Sequence, residues 1–69
     1  MNEGSMYENF LGKYVSVGVP NFMYPDRLFL ISGVVIDVKD GFITLKIRDG
    51  FRKIPYQDVI QIREGEGIR

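Results

Sequence analysis

The 69-residue chain has neither cysteine nor histidine. That double absence removes disulfides, thiolate nucleophiles, imidazole bases and the usual zinc ligands together. It also lacks an uninterrupted apolar stretch of the roughly 20 residues a membrane span needs, and near its amino terminus it has Glu3 and Glu8 where a leader would have a basic region. A soluble, cytoplasmic protein with no membrane partner is expected. Net charge is missing too: nine basic and nine acidic side chains cancel, which argues against a general polyanion binder, since nonspecific nucleic-acid affinity comes mainly from phosphate neutralisation. There is no internal repeat, linker or low-complexity segment, so residues 1–69 form one domain, with 1–4 and 65–69 expected as tails. A domain this small buries only about 60% of its unfolded surface. With no disulfide or metal to staple it, self-association is the remaining source of stability.

What is present is concentrated in "KDGFITLKIRDG", where Asp40-Gly41 and Asp49-Gly50 bracket a short alternating run and Asp37 lies just upstream. Ile43, Leu45 and Ile47 fall on one face of a strand from Phe42 to Arg48, and Phe42, Thr44, Lys46 and Arg48 on the other. Asp-Gly between two extended runs is the signature of a tight hairpin turn, with glycine supplying the positive φ. A strand of that length holds the two Asp-Gly pairs some 25 Å apart at about 3.4 Å per residue, so their carboxylates do not form one site. Asp37 and Asp40 alone are too few oxygen ligands for calcium or magnesium. Turn and solvent roles are the expectation, with no metal and no cofactor.

The rest of the chain reads as a meander. Ser5-Met6-Tyr7-Glu8 fits a helix capping box, and Met6, Tyr7, Phe10 and Leu11 make one apolar stripe that Gly12 ends, predicting a short α-helix of two turns. Tyr14 to Val19 alternates with Val15, Val17 and Val19 inward. Pro20 and Pro25 bound an apolar loop, Phe22-Met23-Tyr24, whose rings either close the open end of the fold or stand exposed for stacking or a partner. Leu28 to Lys39 is a long strand with Gly33 marking a bend or bulge. Phe51 to Pro55 and Asp58 to Arg63 complete five strands. A mostly β fold follows: a short amino-terminal helix and a strongly bent, five-stranded antiparallel SH3-like barrel.

Candidate chemistry is that of binding. Ser5 reads as a cap, Ser16 and Ser32 lie in strands, and no imidazole exists to activate them. Lysines 13, 39, 46 and 53 sit in polar or turn contexts where a depressed pKa is not expected. No catalytic residue is assigned and an enzyme is not expected. From Lys39 to Lys53 the bases Lys39, Lys46, Arg48, Arg52 and Lys53 outnumber Asp40 and Asp49, giving either a locally positive side or a solvated face that discourages edge pairing.

"FLGKYVSV", "ISGVVIDV" and "IPYQDVIQI" resemble the helix end and first strand, the glycine-containing bent second strand, and the last two strands with their tight corner in the Sm-like family, which includes LSm proteins and bacterial Hfq. The likeness runs from about Tyr7 to Arg63. It implies a ring of six or seven subunits closed by pairing of the fourth strand with the neighbour's fifth, with Ile54, Val59, Ile60 and Ile62 at the subunit interface. It also implies single-stranded RNA around the pore, gripped by Lys39, Asp40, Gly41 and Phe42 of one turn and Pro55, Tyr56 and Gln57 of the other. The chain departs from the family at two points: Gly41-Phe42 stands where Asn is expected, and Pro55-Tyr56 where Arg-Gly is expected. "SGVVIDV" followed by "KIPYQDVIQI" is also similar to the PRC-barrel, which implies a protein partner instead.

Overall fold

The computed structural model describes residues 4–65. They form a mostly β protein: one antiparallel sheet of five strands, β1 (Tyr14–Pro20), β2 (Leu28–Lys39), β3 (Phe42–Ile47), β4 (Gly50–Pro55) and β5 (Gln61–Glu64), in the order β4-β3-β2-β1-β5. Among the described residues no α-helix exceeds one turn. Gly4–Tyr7 is a single α-turn that continues as a 3-10 turn over Glu8–Phe10, so the expected two-turn helix is shorter, and the capping expectation for Ser5 and the tails at 1–3 and 66–69 lie outside what is described. Leu11 is extended and Gly12 takes φ +81, which ends the helical segment where the sequence placed its stop.

The long strand β2 serves two neighbours in turn. Residues Leu28 to Val34 pair with β1, and Val34 to Lys39 pair with β3. Gly33 sits at the changeover. A Cβ there would lie 2.4 Å from the Lys46 carbonyl oxygen, so the missing side chain lets the backbone of β3 cross close over β2. The register shift between Val35 and Asp37 turns Ile36 out to solvent. Where β1 has left, the segment before it takes its place: Gly12 donates to the Val35 carbonyl at 2.8 Å and Val35 donates to the Lys13 carbonyl at 3.0 Å.

The bent sheet wraps a core of Val15 and Val17 from β1, Ile31, Val35 and Val38 from β2, Ile43 and Leu45 from β3, Ile54 from β4, and Tyr7 from the helical turn. These are the inward positions the alternation predicts in β1 and β3. The outer face of β1 is covered as well: Ser16 is buried with its hydroxyl 2.8 Å from that of Ser32, and Gly18 lies under Leu28, Leu30 and Gln61. β4 and β5 do not pair with each other, so the sheet is open, with two free edges. β5 is only four residues long: the expected strand from Asp58 starts at Gln61, because Asp58 ends a 3-10 turn over Tyr56–Asp58 and Val59 and Ile60 are not in a strand.

Candidate nucleic-acid interface

The Asp40-Gly41 turn is as its residues require. Asp40 has φ +57 and Gly41 φ +84, two successive positive values that identify a type I′ turn, and it joins Lys39 to its cross-strand partner Phe42. At the second turn the two-residue loop is Arg48-Asp49, and Gly50 with φ +145 is already the first residue of β4, paired with Ile47. Asp49 is therefore at the opposite end of β3 from Asp40, and among the described residues no group of three or more acidic side chains could hold a metal ion.

Antiparallel pairing brings the two candidate segments together. Phe42 pairs with Pro55, and the Tyr56 amide donates to the Gly41 carbonyl at 2.9 Å. Gly41, Phe42, Pro55, Tyr56 and Gln57 line one shallow depression of about 350 Å³. Lys39, the cross-strand partner of Phe42, is exposed, its Nζ 3.8 Å from the Asp37 carboxylate. The Lys53 ammonium lies 5.0 Å from the Phe42 ring centroid, within cation–π range. Gly41 and Phe42 of one segment and Pro55 to Gln57 of the other, thirteen or more positions apart in the chain, thus share one surface.

Tyr56 is half-buried against Tyr7, with ring centroids 5.1 Å apart and planes at 42°. Burial raises its phenol pKa above the ordinary 10.0, and the nearby charges of Glu8, Asp40, Tyr7 and Asp37 raise it further. The phenol stays neutral and can donate a hydrogen bond. Glu8, Asp37 and Asp40 thus bring negative charge near Tyr56, while the Lys53 ammonium lies over the Phe42 ring. Carboxylates near an aromatic ring with ammonium groups beside it suit an aromatic base with amino donors next to a phosphate. Tyr7 and Glu8 were missed as site residues by sequence reasoning; Tyr7 was legible only as part of an apolar helix stripe.

The candidate interface residues separate. Ile54 is 3% exposed and belongs to the core, Val59 and Ile62 pack half-buried against it, and only Ile60 stands open, 56% exposed. The Ile54 side chain is therefore unavailable to a neighbour. What the edges offer is backbone. The Gly41–Tyr56 bond is in register with the β3–β4 pairing, and the Gly65 amide, 2.7 Å from the Tyr14 carbonyl, is in register with β1–β5. Because hydrogen-bonded and non-bonded pairs alternate, Phe51 and Lys53 on β4, and Ile62 and Glu64 on β5, turn their backbone groups outward.

No protein-family model, curated protein or solved structure matches this chain significantly.

Proposed function

We propose that this is a non-enzymatic, Sm-like protomer with an open, bent five-stranded sheet that joins edge to edge into a cytoplasmic ring and binds single-stranded RNA at the Phe42–Tyr56 depression. The observation that carries the assembly is the pair of free edges. Each has two outward-facing residues, Phe51 and Lys53 against Ile62 and Glu64, so β4 of one copy and β5 of the next match in length, and pairing them removes an aggregation liability. Such a contact is heterologous, and rotation closes it into a ring. The ring would repeat each depression around one pore, letting weak contacts add.

RNA is supported by the convergence of Phe42, Pro55, Tyr56 and Gln57 in one hollow with Lys39 and Lys53 beside it. Titration of a fluorescent uridine- or adenine-rich oligonucleotide at low salt tests it. Phe42→Ala should weaken binding by about 5- to 100-fold, corresponding to about 1–3 kcal/mol per stacked base. Lys39→Ala should reduce the salt slope by about 0.7. An assembled wild-type protein that leaves the oligonucleotide free would remove RNA from the account. The exposed Phe22-Met23 loop favours the second reading, a PRC-barrel-like protein-interaction module. That module would bind no RNA and would not form a ring.

A further inference from the structure

Beyond the depression, the β3–β4 hairpin has a whole face that the core does not use. Ile43, Leu45 and Ile54 point into the core, so the residues alternating with them lie on the outer face. Register sets these in three rows: Phe42 opposite Pro55, Thr44 opposite Lys53, and Lys46 opposite Phe51. From β2, Lys39 extends the first row and Asp37 the second. Lys39, Lys46 and Lys53 thus share a face with one carboxylate, Asp37, on a chain whose net charge is zero.

Each phenylalanine on this face has an ammonium beside it. Lys53 Nζ is 5.0 Å from the Phe42 ring centroid and Lys46 Nζ is 5.9 Å from that of Phe51. Phe51 is 65% exposed and is not part of the Phe42–Tyr56 depression. The two rings are offset by the four residues from Phe42 to Lys46, about 14 Å at about 3.4 Å per residue, with Thr44 and Lys53 in the row between. A base stacked on an exposed ring is worth more than an ammonium resting beside it, so a base can take the ring while the flexible lysine turns to a phosphate. An acidic peptide matches the lysines. Only a polyanion that also carries a planar ring at each unit matches the alternation of ring and cation.

We propose that single-stranded RNA leaves the Phe42–Tyr56 depression across this face, with a second base stacked on Phe51 and with Lys46 and Lys53 on the phosphates that join the two bases. This rests on the RNA reading above and extends it from one base position to two. A duplex, whose bases are already stacked on each other, gains nothing from the two rings, so the face selects single strands. Pairing of β4 with a neighbour's β5 engages backbone in the plane of the sheet, whereas the side chains of Phe51 and Lys53 stand perpendicular to it. Ring and platform therefore coexist.

The chain has no tryptophan, so Phe51→Trp places a single fluorophore at the proposed second position. Its emission should fall when single-stranded uridine-rich RNA is added at low salt, and stay unchanged with the same RNA annealed to its complement. Phe51→Ala should weaken binding of the fluorescent single strand about 5- to 100-fold at unchanged melting temperature. Lys46→Ala, on a strand paired on both sides and away from the free edge, should lower the salt slope by about 0.7; it decides the matter even where Phe51→Ala disturbs the β4 edge. RNA that binds the wild type and is lost by Phe42→Ala, yet leaves the Phe51→Trp emission and the Lys46→Ala salt slope unchanged, would overturn the second position and leave the depression standing. A wild-type protein that binds no RNA would overturn both. Quenching by polyglutamate and not by RNA would give the face to an acidic protein and overturn the proposal as well.

Discussion

At the Lys39 end of β2, the aromatic rings are captured by the turn: the Tyr56 amide is tied to the Gly41 carbonyl, the Tyr56 ring leans on Tyr7, and Phe42 lies under the Lys53 ammonium. At the Leu28 end, Phe22, Met23 and the β2 residue Phe29 stand in water, although the loop that carries Phe22 and Met23 is tied by Asn21. Both ends have fixed backbones, so the contrast is not one of order against disorder. It lies in what the side chains meet. A neutral, partly covered phenol beside carboxylates suits a polar aromatic ligand, whereas bare phenylalanine and methionine with few charges suit another apolar surface.

The sharpest way to break that contrast is to put a charge at each end of the exposure scale. Ile54→Lys buries an ammonium in a core position that is 3% exposed and should abolish the cooperative thermal transition, because an unpaired buried charge costs more than a small domain's stability allows. Ile60→Lys, on an open side chain, should shift stability by about 0.5 kcal/mol or less. Equal melting temperatures for the two variants would mean that the core is wrongly placed.

Next in size come two glycines that matter for different reasons. Gly33→Ala forces a methyl against the Lys46 carbonyl and should cost about 3 kcal/mol, at the upper end for overpacking. Gly41→Ala meets no atom and asks alanine only for φ +84, a cost of about 1 kcal/mol. Urea midpoints rank the pair; the reverse order would contradict the bend at Gly33.

The smallest effect is electrostatic. In the folded protein the Tyr56 phenol keeps its proton above the ordinary 10.0, because burial and then Glu8, Asp40, Tyr7 and Asp37 disfavour the phenolate. The unfolded chain loses that proton first, so Tyr56's contribution to stability is fully present below pH 10.0 and falls as pH rises from there toward the raised folded value. Tyr56→Phe should lessen the alkaline loss of stability, measured as urea midpoints on either side of pH 10. An unchanged alkaline slope would show that Tyr56 does not titrate in this way.

The central hairpin was legible because two independent signals agree there: Ile43, Leu45 and Ile47 alternate inward, and Asp40-Gly41 takes the two positive φ values that a type I′ turn needs. The convergence of the two candidate turns was legible only through a family likeness, since residues thirteen or more positions apart meet by strand register, which one sequence does not display. The carboxyl-terminal strand was misjudged over Asp58 to Ile60 because alternation continues through "DVIQI" while the backbone first makes a 3-10 turn. Ile54 was placed at an interface because an isoleucine beside a proline at a strand end looks the same from sequence whether it faces a neighbour or the core. For Phe22-Met23-Tyr24, the sequence left packing inward and exposure both open. In the structure all three side chains stand exposed on a loop tied by Asn21, whose side-chain oxygen accepts from the Met23 and Tyr24 amides, and hydropathy does not report that.

The measurement that bears most directly on the account is the solution mass of the wild-type chain and of Glu64→Pro by light scattering at high protein concentration. Edge pairing predicts a wild-type particle of six or seven chains. It predicts that Glu64→Pro, which keeps every hydrogen bond from β5 to β1, loses the ring while staying folded. A wild-type protein that remains a single chain, or a Glu64→Pro particle of unchanged mass, would contradict it.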